Sequence, residues 1–229
     1  MREIQAVTKL KVSTVQQLYS WREVAVVYGL VLILWGIYRL MFRLPVWFEE
    51  GVLKALVFGL PIAWVSRRHQ WQMKDLGITG NNLASGVYLG IFLGIMLGLV
   101  GNVGNVLRHG GLDWASFGIT SNMLGGLIIL SLLTAFWEQL LFCGMFLRLI
   151  EEMVVNEWKI AWIIALLFAG LHLPALILIQ HLPGFQLVTA ACLLFLLELG
   201  NVILMLRLRN LAAPIMAQAL WGVTIFLFR

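Results

Sequence analysis

The sequence predicts an all-α bundle of about seven membrane-spanning helices. Three observations carry this. Of its 229 residues 61% are apolar and only 12% charged, against about 45–50% and about 25% in an average soluble domain. Several apolar runs reach the roughly 18 residues that cross a bilayer. Lys and Arg collect at the ends of those runs, where they set membrane topology.

The runs give the elements in order. The first span covers about Val24 to Phe42 as an uncleaved anchor, after a cytoplasmic N-terminal segment of residues 1–22. The second, about Trp47 to Ser66, is weakened by Glu49, Glu50 and Lys54 in its first turns. The third runs from about Leu83 to Leu107 and the fourth from about Met123 to Leu149. A fifth, from about Lys159 to His172, is expected to stop at Pro174, which cannot continue the hydrogen-bond ladder. Residues 175–181 are too short to span and form a partial element. The sixth runs from about Phe185 to Leu206 and the seventh from about Leu211 to Phe228. All 229 residues form a single integral membrane domain.

With the N-terminus in the cytoplasm, the inner loops and ends carry Arg22, Arg67, Arg68, Lys74, Arg148, Lys159, Arg207 and Arg209 among others. The outer side carries Arg39, Arg43, Arg108 and Arg229. That bias matches the positive-inside rule. The segment 67–82 is polar, aromatic and basic, and is expected to lie along the cytoplasmic surface. Gly110-Gly111 marks a turn in the outward loop 108–120. In the third span Gly86, Gly90, Gly94 and Gly98 recur at every fourth position. They make a smooth stripe that predicts close helix packing inside the molecule, with a dimer contact as the alternative.

Several function classes fall away. The net charge of +5 sits in short loops without a basic, aromatic-studded stripe, so no nucleic-acid partner is expected. Cys143 and Cys192 both lie in apolar spans and give neither a disulfide framework nor zinc spacing. The bilayer and another membrane protein are the partners that such a chain meets.

Titratable residues at membrane depth are rare and mark cavities or partners. At about 1.5 Å per residue, Glu138 lies roughly 15 Å in from Arg148 and His172 roughly 20 Å from Lys159. By the same measure Glu198 is roughly 14 Å from Arg207, and Gln218 roughly 12 Å from Asn210. Four polar side chains on four helices thus share one layer, as a polar chamber requires; isolated, locally satisfied residues are the alternative. A carboxylate and an imidazole in a partly dry chamber suit water activation. One Glu and one His are too few for a catalytic zinc, which takes three ligands, and H-E-x-x-H is absent. No metal or other cofactor is expected.

Three segments then resemble a known pattern. Glu138-Gln139-Leu140-Leu141-Phe142-Cys143-Gly144 is similar to the E-E-x-x-F-R-G motif of the CPBP family, the CAAX-protease and bacteriocin-processing (Abi) intramembrane proteases. Phe168-Ala169-Gly170-Leu171-His172 resembles its F-x-x-x-H motif. The stretch ending in Gln218-Ala219-Leu220-Trp221-Gly222 resembles its third, H-x-x-x-N. Asp75-Leu76-Gly77-Ile78 resembles a short element that precedes the family's core, so the CPBP-like core spans about 75–229. The resemblance implies an endopeptidase for membrane-associated or lipidated protein substrates. By position it implies Glu138 as the base, His172 as its partner in holding water, and Gln218 at the oxyanion.

This chain departs from the pattern at four places. The second glutamate is Gln139 and the arginine is Cys143, so an ion pair between neighbours four apart on one face is lost whole. The third-motif histidine is Gln218 and the asparagine is Gly222. An amide still donates a hydrogen bond; a glycine side chain does not. One lost oxyanion donor costs about 10²–10³ in rate. Two readings therefore stand side by side: a working peptidase, and a non-catalytic scaffold or assembly factor that binds another membrane protein. A proton-coupled carrier is a third, without the duplicated halves that carriers show. Cys143 reads as packing, Glu198 as chamber lining or the partner of a polar neighbour, His69 and His109 as loop residues without visible partners, and His181 as a solvated residue of an outward loop.

Overall fold

Apolar side chains on every face suit a helix packed on one side and lipid-facing on the other. The first helix is built this way. Val24, Val27, Val31, Trp35 and Tyr38 are buried, while Val26, Leu30, Ile33, Leu34 and Ile37 between them are exposed. A computed structural model describes the backbone of residues 2–42, 44–109 and 121–227, and the side chains of 20–42, 44–101 and 124–224. Seven helices and no strand occur among the described residues.

Helix α1 is Arg2–Met41. α2 joins Val46–Phe48, Glu49–Leu53 and Lys54–Val57, turns slightly at Phe58, and continues as Gly59–His69. α3 is Leu83–His109. α4 is Ser121–Gln139 extended by Leu140–Phe146 and Leu147–Glu151. α5 is Glu157–Pro174 extended by Ala175–Ile179, α6 is Gly184–Leu208 and α7 is Ala212–Leu227. Stretches in α1, α3, α4, α5 and α6 are long and apolar enough to cross a bilayer. The chain is an integral membrane protein.

Pro174 does not end its helix, contrary to the expectation of a stop and a separate partial element. The chain continues through Ala175–Ile179 with the wider, i→i+5 turns of a π-helix. The reason is the solvent. A proline frees one carbonyl, and in hydrocarbon the backbone must be paired again locally. Continuing the helix past Pro174 keeps the following backbone paired, and the Gln180 N–H reaches the Ala175 carbonyl at 3.0 Å. The same widening occurs in α2 over Glu49–Leu53 and in α4 over Leu140–Phe146.

The segment after α2 does more than lie on a surface. Its short Met73–Leu76 turn buries Leu76. Gly77, at φ +83°, accepts a 2.9 Å hydrogen bond from the Leu211 N–H. Asn210 donates to the carbonyls of Thr79 and Asn81, and its Oδ1 caps the start of α7 at Ala212. The loop therefore fixes where α7 begins. His69 also has a partner: its Nε2 lies 2.7 Å from Glu23 on α1, and its ring packs on Trp71. The expected Gly110-Gly111 turn and the His109 side chain lie outside the described residues.

The glycine stripe of α3 packs inside the molecule, against α7. A Cβ on Gly90 would strike the Ala213 carbonyl oxygen, and one on Gly94 would reach the Ala217 carbonyl oxygen. Backbone cannot step aside as a side chain can, so Gly90→Leu is expected to cost about 1–3 kcal/mol. Gly125, with nothing within 4 Å of its Cβ position, should instead gain up to about 1 kcal/mol as Ala. Thermal unfolding in detergent reads both signs. Because α3 presses on the Ala213–Ala217 face, the opposite face of α7, with Gln218, is held toward α4.

Candidate active site

Glu138 and Gln139 stand at the end of the regular part of α4, just before its widened turns. Glu138 is 4% exposed and Gln139 is fully buried. Around them Phe142, Phe146 and Phe168 pack edge to face and close the core. The Glu138 carboxylate meets a different helix on each side. Lys54 of α2 places its ammonium 2.6 Å from Oε1. Gln218 of α7 donates from Nε2 to Oε2. His172 of α5 sets Nε2 at 3.8 Å from the same Oε2.

The imidazole is oriented from behind. His172 Nδ1 donates to the Phe168 carbonyl at 2.9 Å, and the ring packs on the Phe168 ring with centroids 4.6 Å apart. With the proton on Nδ1, a neutral ring turns the Nε2 lone pair to Glu138. At 3.8 Å the two acceptors are too far apart for a direct hydrogen bond and close enough for one water to donate to both. Activation of water by a base needs that spacing.

The network runs on in both directions. Gln139 Nε2 donates to Gln218 Oε1 at 2.6 Å and to Glu198 Oε2 of α6 at 2.7 Å. Glu198, fully buried, also receives Asn201 Nδ2 at 3.2 Å and the Cys143 thiol at 3.6 Å. On the other side Lys54, 2% exposed, holds Glu50 Oε2 at 2.5 Å, and Thr134 donates to the same oxygen. Glu49 pairs with Arg39 of α1 at 2.7 Å. Trp35 lies under both cations, with Arg39 and Lys54 about 5.1 Å and 5.2 Å from its ring.

The polar layer expected from depth alone is therefore present. Glu138, His172 and Gln218 meet at one carboxylate, and Glu198 joins them through Gln139. Gln218 is engaged at both ends: Oε1 accepts from Gln139 while Nε2 donates to Glu138. One turn further along α7, on the same face, the buried indole Nε1 of Trp221 has no hydrogen-bond partner among the described residues. The two altered positions of the first motif, Gln139 and Cys143, both face Glu198. Lys54 is the group that sequence reasoning missed. Its spacing of four from Glu50 in an otherwise apolar helix was the available signal. Among the described residues no cluster of three or more His, Cys, Asp or Glu side chains is arranged to hold a metal.

The model of the family described as type II CAAX prenyl endopeptidase Rce1-like matches residues 120–224. This region, under half of the chain, is similar to that family. Comparison with curated proteins and with solved structures yields no match. The Rce1-like region holds α4 to α7, with Glu138, Gln139, His172, Glu198 and Gln218. The resembling element Asp75–Ile78, and the α2 residues Glu50 and Lys54, lie outside it.

Proposed function

We propose that the protein is an intramembrane endopeptidase that cleaves a membrane-associated, lipidated protein substrate with a water held by Glu138 and His172. The observation that carries this reading is the 3.8 Å gap between Glu138 Oε2 and His172 Nε2, inside an Rce1-like region of a membrane protein. In it, water donates to both acceptors, attacks the scissile carbonyl as Glu138 takes its proton, and the protonated Glu138 then passes that proton to the leaving amine. His172, held by the Phe168 carbonyl, steadies the water. The unbonded indole N–H of Trp221 and the second N–H of Gln218 are the donors left for the oxyanion. The N-terminus is placed in the cytoplasm, from the distribution of basic residues.

One observation favours a second reading. Both ends of Gln218 are already engaged, and Gly222 has no side chain to donate. A non-catalytic scaffold that binds another membrane protein needs neither. Purified protein in liposomes, given a prenylated peptide with a free C-terminal tripeptide, separates the two. Release of the tripeptide, lost in His172→Ala, is the expected result. No release from the wild type, together with stoichiometric co-purification of a membrane protein, would replace the peptidase with the scaffold.

A further inference from the structure

We propose that Lys54, outside the Rce1-like region, is the positioning residue of the site: it clamps the Glu138 carboxylate so that Oε2 faces His172. The inference rests on the peptidase reading for its kinetic part and on geometry alone for the clamp itself. A carboxylate rotates freely about its last bond unless both oxygens are held. Here Lys54 holds Oε1 at 2.6 Å and the Gln218 amide holds Oε2. Those two bonds fix the plane, and the remaining lone pair of Oε2 is the one turned to His172.

The ammonium is itself fixed. Glu50 Oε2 lies 2.5 Å from Nζ, and Glu50 is pinned by the Thr134 hydroxyl. The Trp35 ring closes a third side at 5.2 Å. Lys54 is 2% exposed, so no bulk water competes for its donors. A flexible four-carbon stem is thereby held in one arrangement, which a lysine reaching the lipid interface would not have. The widened turn Glu49–Leu53 ends at Lys54, as the widened turn of α4 begins just after Glu138. Such turns recur where a helix re-aims a functional side chain.

The test compares Lys54→Met, Lys54→Arg and Lys54→Met/Glu50→Gln. The last removes one positive and one negative charge together, so the net buried charge is unchanged if the single variant fails to fold. With a prenylated peptide in liposomes, kcat should fall by about 10²-fold, the effect of a misplacement of about 1 Å, with KM unchanged. Lys54→Arg should recover most of the rate. An unchanged kcat in the double variant overturns the clamp, as does a loss confined to KM. A second readout is independent of hydrolysis. In thermal unfolding, Glu138→Gln should destabilise the wild type but not the Lys54→Met background. Additive losses overturn the clamp even if the wild type cleaves nothing, whereas non-additive losses in an inactive protein uphold it and sink only the peptidase.

Discussion

Glu138→Gln is expected to lower hydrolysis by about 10²–10⁴-fold, the contribution of a positioned general base, and to destabilise the fold at the same time. The usual view of glutamine as a silent replacement for glutamate fails here. Both oxygens of Glu138 accept from donors, Lys54 on one side and Gln218 on the other. An amide has only one accepting end. Whichever way it turns, its NH₂ faces a donor. Lys54 also loses one of its two carboxylates, and breaking a buried ion pair costs about 3–5 kcal/mol. Glu50 still holds the ammonium at 2.5 Å, so the loss belongs near the lower bound. Peptide release in liposomes and thermal unfolding of the same preparation measure the two effects. Full hydrolysis by Glu138→Gln would remove the carboxylate from the reaction altogether. Under the scaffold reading the stability loss remains and there is no hydrolysis to lose.

Depth was legible in the sequence; azimuth was not. The rise per residue turns separation along the chain into depth, so Glu138, His172, Glu198 and Gln218 fall in one layer before any helix is oriented. Which of them touch depends on rotation about each helix axis, and that is set by packing far from the site. The Gly90 and Gly94 stripe of α3, for example, turns Gln218 toward α4. Lys54 escaped because its own charge makes α2 look like a poor span. A charge that lowers hydropathy and a charge that serves a site are the same signal, and only the buried carboxylates across the interface tell them apart. Pro174 departs from expectation for a related reason. The rule that proline ends a helix comes from water, which satisfies the freed groups, whereas in hydrocarbon a broken helix would leave more backbone unpaired than a continued one.

Gln218 shows a subtler limit. Its residue type suits oxyanion donation, and that is the role its position implies. In the fold its amide is one of a series, Glu198 to Gln139 to Gln218 to Glu138, in which each donor is matched to the next acceptor. The direction of the series is set at its near end by Glu138, whose carboxylate is paired with Lys54 and accepts from Gln218. It follows that Gln218 points its N–H at Glu138, that its oxygen is left to accept, and that Gln139 must donate to it. The pattern of residue types contains this order, but only once the contacts are known.

That order makes Gln139→Glu, which restores the family's second glutamate, a severe change in this chain. A donor becomes an acceptor between two acceptors, Glu198 Oε2 at 2.7 Å and Gln218 Oε1 at 2.6 Å. No cation lies among the groups that hold Glu198, and Gln139 and Glu198 are both fully buried. A loss of about 3–5 kcal/mol is expected, the cost of an uncompensated buried charge. Adding Cys143→Arg supplies the missing cation one turn away, but it forces a long side chain into a fully buried position at about 1–3 kcal/mol, so that rescue should be partial. Glu198→Gln is the better partner. The exchanged pair keeps one carboxylate and one amide with donor and acceptor swapped between α4 and α6, so most of the stability should return, less the one acceptor–acceptor contact that Gln218 keeps whichever way it turns. Hydrolysis should not return with it. The carboxylate introduced at position 139 would now draw the Gln218 N–H toward itself, and the amide would present its oxygen to Glu138. A protein that regains most of its stability yet stays slow is the outcome that the directed series requires; equal recovery of stability and rate would mean that Gln218 does not depend on its neighbours for its orientation.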